Sequence, residues 1–93
     1  MLGDSPVVTV HIPAPLRALA GGHTELMASG DTVGEIFETI GHEYPAIRSR
    51  LIQGDGGLAQ GLSVFLGARS VRNLEGLATP IEQEELISVV LTA

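Results

Sequence analysis

An α+β fold is predicted, with a mixed sheet of about four to five strands packed on one main helix. Three observations predict it. A β-branched run opens the chain at Val7-Val8-Thr9-Val10-His11-Ile12, a one-sided helical period follows at Val33, Ile36, Phe37 and Ile40, and two apolar runs, Leu62–Leu66 and Leu86–Leu91, come after it. With 93 residues there is material for one core, so residues 1–93 are expected to form a single domain.

Each element has its own reason. Residues 1–6, carrying Gly3, Asp4, Ser5 and Pro6, make a poor start for any element and are expected to fray. In the first strand Val8, Val10 and Ile12 share one face and Val7, Thr9 and His11 the other, and Pro13 and Pro15 end it. Leu16 to Ala20 forms a turn, Gly21-Gly22 reverses the chain, and His23 to Ala28 returns as a second strand antiparallel to the first. Ser29-Gly30-Asp31 breaks that strand. Thr32 and Glu35 then make a capping box, with the hydroxyl on the third amide and the carboxylate back on the first. Glu35, Glu38 and His42 face away from the apolar stripe, so the helix lies on a sheet, and it ends before Pro45. Ala46 to Ile52 adds a short second helix, with Ile47 and Leu51 one turn apart and Arg48 and Arg50 pointing outward.

The third strand, Leu62–Leu66, turns Leu62, Val64 and Leu66 toward the helix and Phe65 to the opposite side. Gly67-Ala68-Arg69 turns tightly into a short fourth strand, Ser70-Val71-Arg72. The stretch holding Leu74, Leu77 and Ile81, broken by Gly76 and Pro80, crosses back in irregular form. Leu86–Leu91 is almost unbroken in apolar character, the pattern of a central strand covered on both faces. A crossover through the helix puts the third strand parallel to an existing strand or at an edge, and the last strand can lie beside the first. That order is the β-grasp arrangement.

Composition excludes several classes of chemistry. Five basic residues, all arginine, against eleven acidic ones give a net charge of −6, which repels a polyphosphate backbone and argues against nucleic acid. Without cysteine there is no disulfide, thiolate metal site, iron–sulfur cluster or thiol nucleophile, and without lysine no Walker A lysine or Schiff base. The sequence has no apolar run long enough to span a bilayer and no secretory signal pattern, so a cytoplasmic protein without membrane contact is expected.

Candidate catalytic groups are sparse. His11, His23 and His42 lack metal-ligand spacing and read as solvated or edge histidines. Gly54-Asp55-Gly56-Gly57-Leu58-Ala59 matches a phosphate-cradling pattern but follows a helical segment, not a strand, and reads as a loop. Glu82, Glu84 and Glu85 read as a solvated turn, and no serine has an elbow or a base beside it. Two features point instead to a partner. Phe65, in a chain with three aromatics, lies on the face away from the helix and is followed by Arg69 and Arg72, the composition of a binding hot spot; the competing expectation is a satellite core under the crossover loop. The last strand carries Val90, Leu91, Thr92 and Ala93 directly out of the sheet, an arrangement suited to a terminus that is used.

These pieces together resemble the ubiquitin-like sulfur-carrier family, which includes the small subunit of molybdopterin synthase, the thiamin-pathway carrier and the carrier that feeds cysteine synthesis. The resemblance lies in Val8-Thr9-Val10-His11-Ile12-Pro13 with Leu16-Arg17, in Ala28 to Glu35, in Tyr44-Pro45 with Arg50-Leu51, and in Val71-Arg72, Leu74, Gly76-Leu77-Ala78-Thr79 and Ile81. The Ala28–Glu35 and Gly76–Thr79 segments are most similar to the cysteine-synthesis type. The resemblance implies a protein co-substrate, not an enzyme, with no cofactor of its own. In the family an E1-like enzyme adenylates a carboxyl-terminal Gly-Gly and installs a thiocarboxylate, which a sulfur-accepting synthase consumes. The resemblance implies a reactive terminus and a docking face, and the residues read above as partner-binding, Phe65, Arg69, Arg72 and Val90 to Ala93, are the expected ones. This chain departs from the pattern at Leu91-Thr92-Ala93, where no glycine pair stands, and at Glu82-Gln83-Glu84-Glu85, which replaces an Asp-Gly-Asp turn. The expectation is that a few residues follow Ala93; the alternative is a non-covalent ubiquitin-like interaction module without a chargeable tail.

Overall fold

The computed structural model describes residues 7–54, 56–81 and 86–91. The expected frayed start at 1–6, the acidic turn at Glu82, Glu84 and Glu85, and the tail residues Thr92 and Ala93 lie outside them. The elements are β1 (Val7–His11), β2 (Glu25–Ser29), α1 (Val33–Glu43), α2 (Pro45–Leu51), β3 (Leu62–Leu66), β4 (Arg69–Ser70) and β5 (Leu86–Leu91). They form one five-stranded sheet in the order β2-β1-β5-β3-β4. β1 and β5 run parallel and the other neighbours antiparallel. This is the β-grasp arrangement. β3 therefore runs in the direction of β2, as a return through α1 requires, with β1 and β5 standing between them.

One face of the sheet makes the core. Val8 and Val10 of β1, Leu62, Val64 and Leu66 of β3, and Ile87 and Val89 of β5 are buried against Val33, Ile36, Phe37 and Ile40 of α1 and Ile47 and Leu51 of α2. A buried aliphatic or aromatic side chain contributes about 1.5–3 kcal/mol here, so the alternation of each strand decides which face meets the helices. β5 keeps that alternation. Ile87 and Val89 are buried while Leu86 and Val90 are exposed, so among the described residues this strand is central in the sheet but covered on one face only, contrary to expectation. An apolar run in a strand reports neighbours on either side within the sheet as well as layers above and below it.

Four local differences have clear causes. The Leu16–Ala20 turn is a 3-10 helix over Ala14–Ala20, closed by Gly21 at φ 67, a left-handed position that glycine takes without strain. β2 begins at Glu25, because His23 is still held in the turn, its amide donating to the Ala20 carbonyl at 3.2 Å. β4 begins one residue earlier than expected, at Arg69, since Gly67 and Ala68 alone make the turn and pair Leu66 with Arg69. Val71, expected in that strand, instead turns inward and is fully buried at the start of a 3-10 helix over Val71–Asn73.

The helix start is close to the expected box. Thr32 Oγ1 accepts from the Glu35 amide at 3.1 Å, while Glu35 Oε1 accepts from the Asp31 amide at 2.9 Å, one residue before the position expected. The crossing segment locks onto the same place. Val33 N–H donates to the Thr79 carbonyl at 3.0 Å and Ile81 N–H to the Asp31 carbonyl at 2.8 Å.

Candidate functional site

The second face of the sheet has no helix over it among the described residues. Residues of the opposite phase stand there: Val7, Thr9 and His11 of β1, Met27 of β2, Ser63 and Phe65 of β3, and Leu86, Ser88 and Val90 of β5. Phe65 sits directly across from Ser88, so Leu86 and Val90 flank it diagonally, within reach of an aromatic ring. Leu86 is 41% exposed, Val90 44% and Met27 72%. Phe65 itself is half-buried and, among the described residues, stands apart from the core cluster. The result is an apolar strip centred on one aromatic and edged by serine, threonine and histidine.

The other expected partner residues fall in different places. Leu91 faces the helix side, where with Leu16, Arg50 and Leu62 it lines a cleft of about 260 Å³. Arg69 pairs with Leu66 and so starts toward the helix side too, beside Leu74, Glu75, Thr79 and Pro80. Arg72 Nη2 donates to the carbonyls of Leu62 at 3.0 Å and Ala59 at 3.2 Å, clamping the loop that leads into β3. Neither arginine shares the face of Phe65. The two-residue Gly67-Ala68 turn and the inward Val71 carry them around the sheet edge.

Leu86 and Met27 are the members of the strip that the sequence reading did not single out. Their signal was present in the strand alternation, since Leu86 lies four residues before Val90 and Met27 is in phase with Glu25 and Ser29.

The described residues of this face are apolar or hydroxyl-bearing apart from Glu25 and His11. Among the described residues no group of three or more histidine, cysteine, aspartate or glutamate side chains is placed to hold a metal. In the glycine loop the Gly56 amide is turned inward to the Gln53 carbonyl at 2.9 Å rather than outward to an anion. Among the described residues a perturbed carboxyl lies elsewhere. Hydrogen bonds from Arg48 hold the exposed Glu38 carboxyl below its ordinary value of 4.5, and the same contact raises Arg48.

Comparison with known proteins decides the family. The chain is 33% identical over 85 residues to the sulfur carrier protein CysO of Mycobacterium tuberculosis, a match covering 89% of this chain and 91% of that protein. It belongs to the sulfur-carrier family. A putative sulfur carrier protein of Archaeoglobus fulgidus is 27% identical over 91% of the carrier and 93% of its own length. The fold agrees. CysO in the Amycolatopsis orientalis BexX/CysO complex superposes with a TM-score of 0.86 at 28% identity, covering 92% of the carrier and 96% of that chain. The small archaeal modifier protein 1 of Methanosarcina acetivorans superposes with a TM-score of 0.82 at 25% identity, covering 98% and 97%. No family model matches the chain. No helix among the described residues is long and apolar enough to cross a membrane.

Proposed function

We propose that the carrier is loaded with sulfur at its carboxyl terminus by another protein and delivers it inside a second one. An E1-like enzyme would present ATP to the terminal carboxylate, whose oxygen attacks the α-phosphorus and expels pyrophosphate. Sulfide sulfur then attacks the acyl carbon, the bond to AMP breaks, and a thiocarboxylate remains. A free carboxylate is a poor electrophile until its oxygen becomes a good leaving group, and the partner supplies that activation. A sulfur-accepting synthase of the cysteine, molybdopterin or thiamin type then receives the sulfur in the cytoplasm.

The observation that carries this reading is the 33% identity to a sulfur carrier across nine tenths of the chain. The open sheet face supports it. Phe65 and Val90 would form the apolar centre of the docking surface, with Arg69 and Arg72 as its polar rim beyond β4. Leu91, Thr92 and Ala93 would lead into the partner's channel. CysO of Amycolatopsis orientalis is found in complex with BexX, which fits use by a partner.

The test is reconstitution of the native gene product with the E1-like enzyme of its own host, ATP and a sulfide donor, read by intact mass. Replacement of one carboxyl oxygen by sulfur is the expected result, slowed in Phe65→Ala. A product that binds the enzyme but never gains sulfur would favour a non-covalent interaction module instead.

A further inference from the structure

β2 is a terminal strand of the sheet, and its register with β1 decides which main-chain groups it leaves over. Ile12 N–H donates to the Thr24 carbonyl at 2.8 Å, so residues 12 and 24 are a bonded pair; alternation makes Val10 with Leu26 and Val8 with Ala28 the next ones. Glu25, Met27 and Ser29 therefore aim their N–H and C=O groups away from β1. The Ser29 carbonyl bears this out by accepting from Thr39 Oγ1 of α1 at 3.1 Å. Among the described residues the outward groups of Glu25 and Met27 have no hydrogen-bond partner. Such an edge is a template for one more strand.

The surroundings narrow what that strand carries. On the helix side Leu26, Ala28, Ile40 and Tyr44 wall a cleft of about 60 Å³, room for one small aliphatic side chain. On the open side Met27 is 72% exposed, an apolar surface for a residue of opposite phase. Thr39 meets Ser29, so Glu43, one helical turn on, stands toward the Glu25 end of β2 and lines the same cleft. An added strand would thus pass between two exposed carboxylates, Glu25 from the open face and Glu43 from the helix side. At the opposite end Asp31 and Glu35 open α1.

We propose that the free edge of β2 is a second docking site, which takes an extended segment of a partner protein with a small aliphatic residue and an adjacent arginine or lysine. Charge selects this occupant over a second copy. In a chain of net charge −6, antiparallel edge-to-edge pairing about Met27 would bring the Glu25 and Glu43 end of one copy against the Asp31 and Glu35 end of the other. The site lies at the sheet edge away from β3 and β4 and does not use the terminus, so it stands or falls independently of sulfur loading.

The test is an NMR titration of the carrier with a panel of short extended peptides, each with alanine or valine at the cleft position and arginine flanks, beside matched peptides with glutamate flanks. The arginine set is expected to shift and protect the Glu25 and Met27 amides, and to weaken as salt rises. Met27→Pro removes an outward N–H without touching the β1 ladder, and should weaken binding about tenfold. Glu25→Arg with Glu43→Arg should reverse the flank preference, with thermal melting showing both variants folded. The proposal is overturned if no arginine-flanked peptide binds, if shifts map to Phe65 instead, or if the edge is occupied by self-association.

Discussion

Phe37 and Phe65 are the same residue type in opposite roles. Phe37 is fully buried under the sheet, whereas Phe65 is half-buried on its open face. Phe37→Ala should cost about 3–5 kcal/mol through lost transfer and a cavity, read by denaturant unfolding. Phe65→Ala should cost less, about 1–2 kcal/mol in the same measurement, while lowering affinity for the E1-like partner about tenfold or more, measured by calorimetry. A collapse of stability in Phe65→Ala would place that ring in the core. The Glu38–Arg48 contact, at 2.7 Å, behaves differently because it is exposed. Its folded carboxyl value is lowered by the Arg48 hydrogen bonds, so its contribution is present above the unfolded carboxylate value and is lost as pH falls through the lowered folded one. Arg48→Ala should return the Glu38 titration toward 4.5, followed by carboxyl NMR.

Among the elements, α1 depends on its start. Thr32 is the side-chain cap, and its loss leaves the Glu35 amide without that oxygen. Thr32→Ala should lower stability by about 1 kcal/mol, seen as a lower melting temperature, while Thr32→Ser should retain most of it. The cap was legible because Thr32 and Glu35 are neighbours in sequence. The bounds of β4 were not, because Val71 has the propensity of a strand residue and the core claims it for a 3-10 turn instead. β5 shows the same limit. Its apolar run placed it correctly beside β1, but which of its residues are exposed depends on what lies over each face, a property of the whole sheet. Phe65 could be assigned to the open face from alternation alone, since Leu62, Val64 and Leu66 already occupied the other. Arg69 and Arg72 could not, because a two-residue turn moves them out of that phase.

At the scale of the molecule, the chemistry of the described residues is that of a scaffold. Its arginines tie loops and helices, as Arg17 does through Nε to the Ile12 carbonyl at 2.9 Å and Arg72 through Leu62. Its apolar strip faces outward, and β5 stands in the middle of the sheet. The family was legible because the strand, helix start and crossing segment retain both their order and their residue types. Beyond it, what the sheet presents to partners depends on long-range pairing. The measurement that bears most directly on the account is the intact mass of the carrier isolated from its own host, before and after treatment with a thiol-selective alkylating reagent. In this cysteine-free chain, a fraction heavier by one oxygen-to-sulfur exchange, and alkylated once at the terminus, is the expected result. A native product that carries no sulfur under conditions of active sulfur assimilation would contradict it.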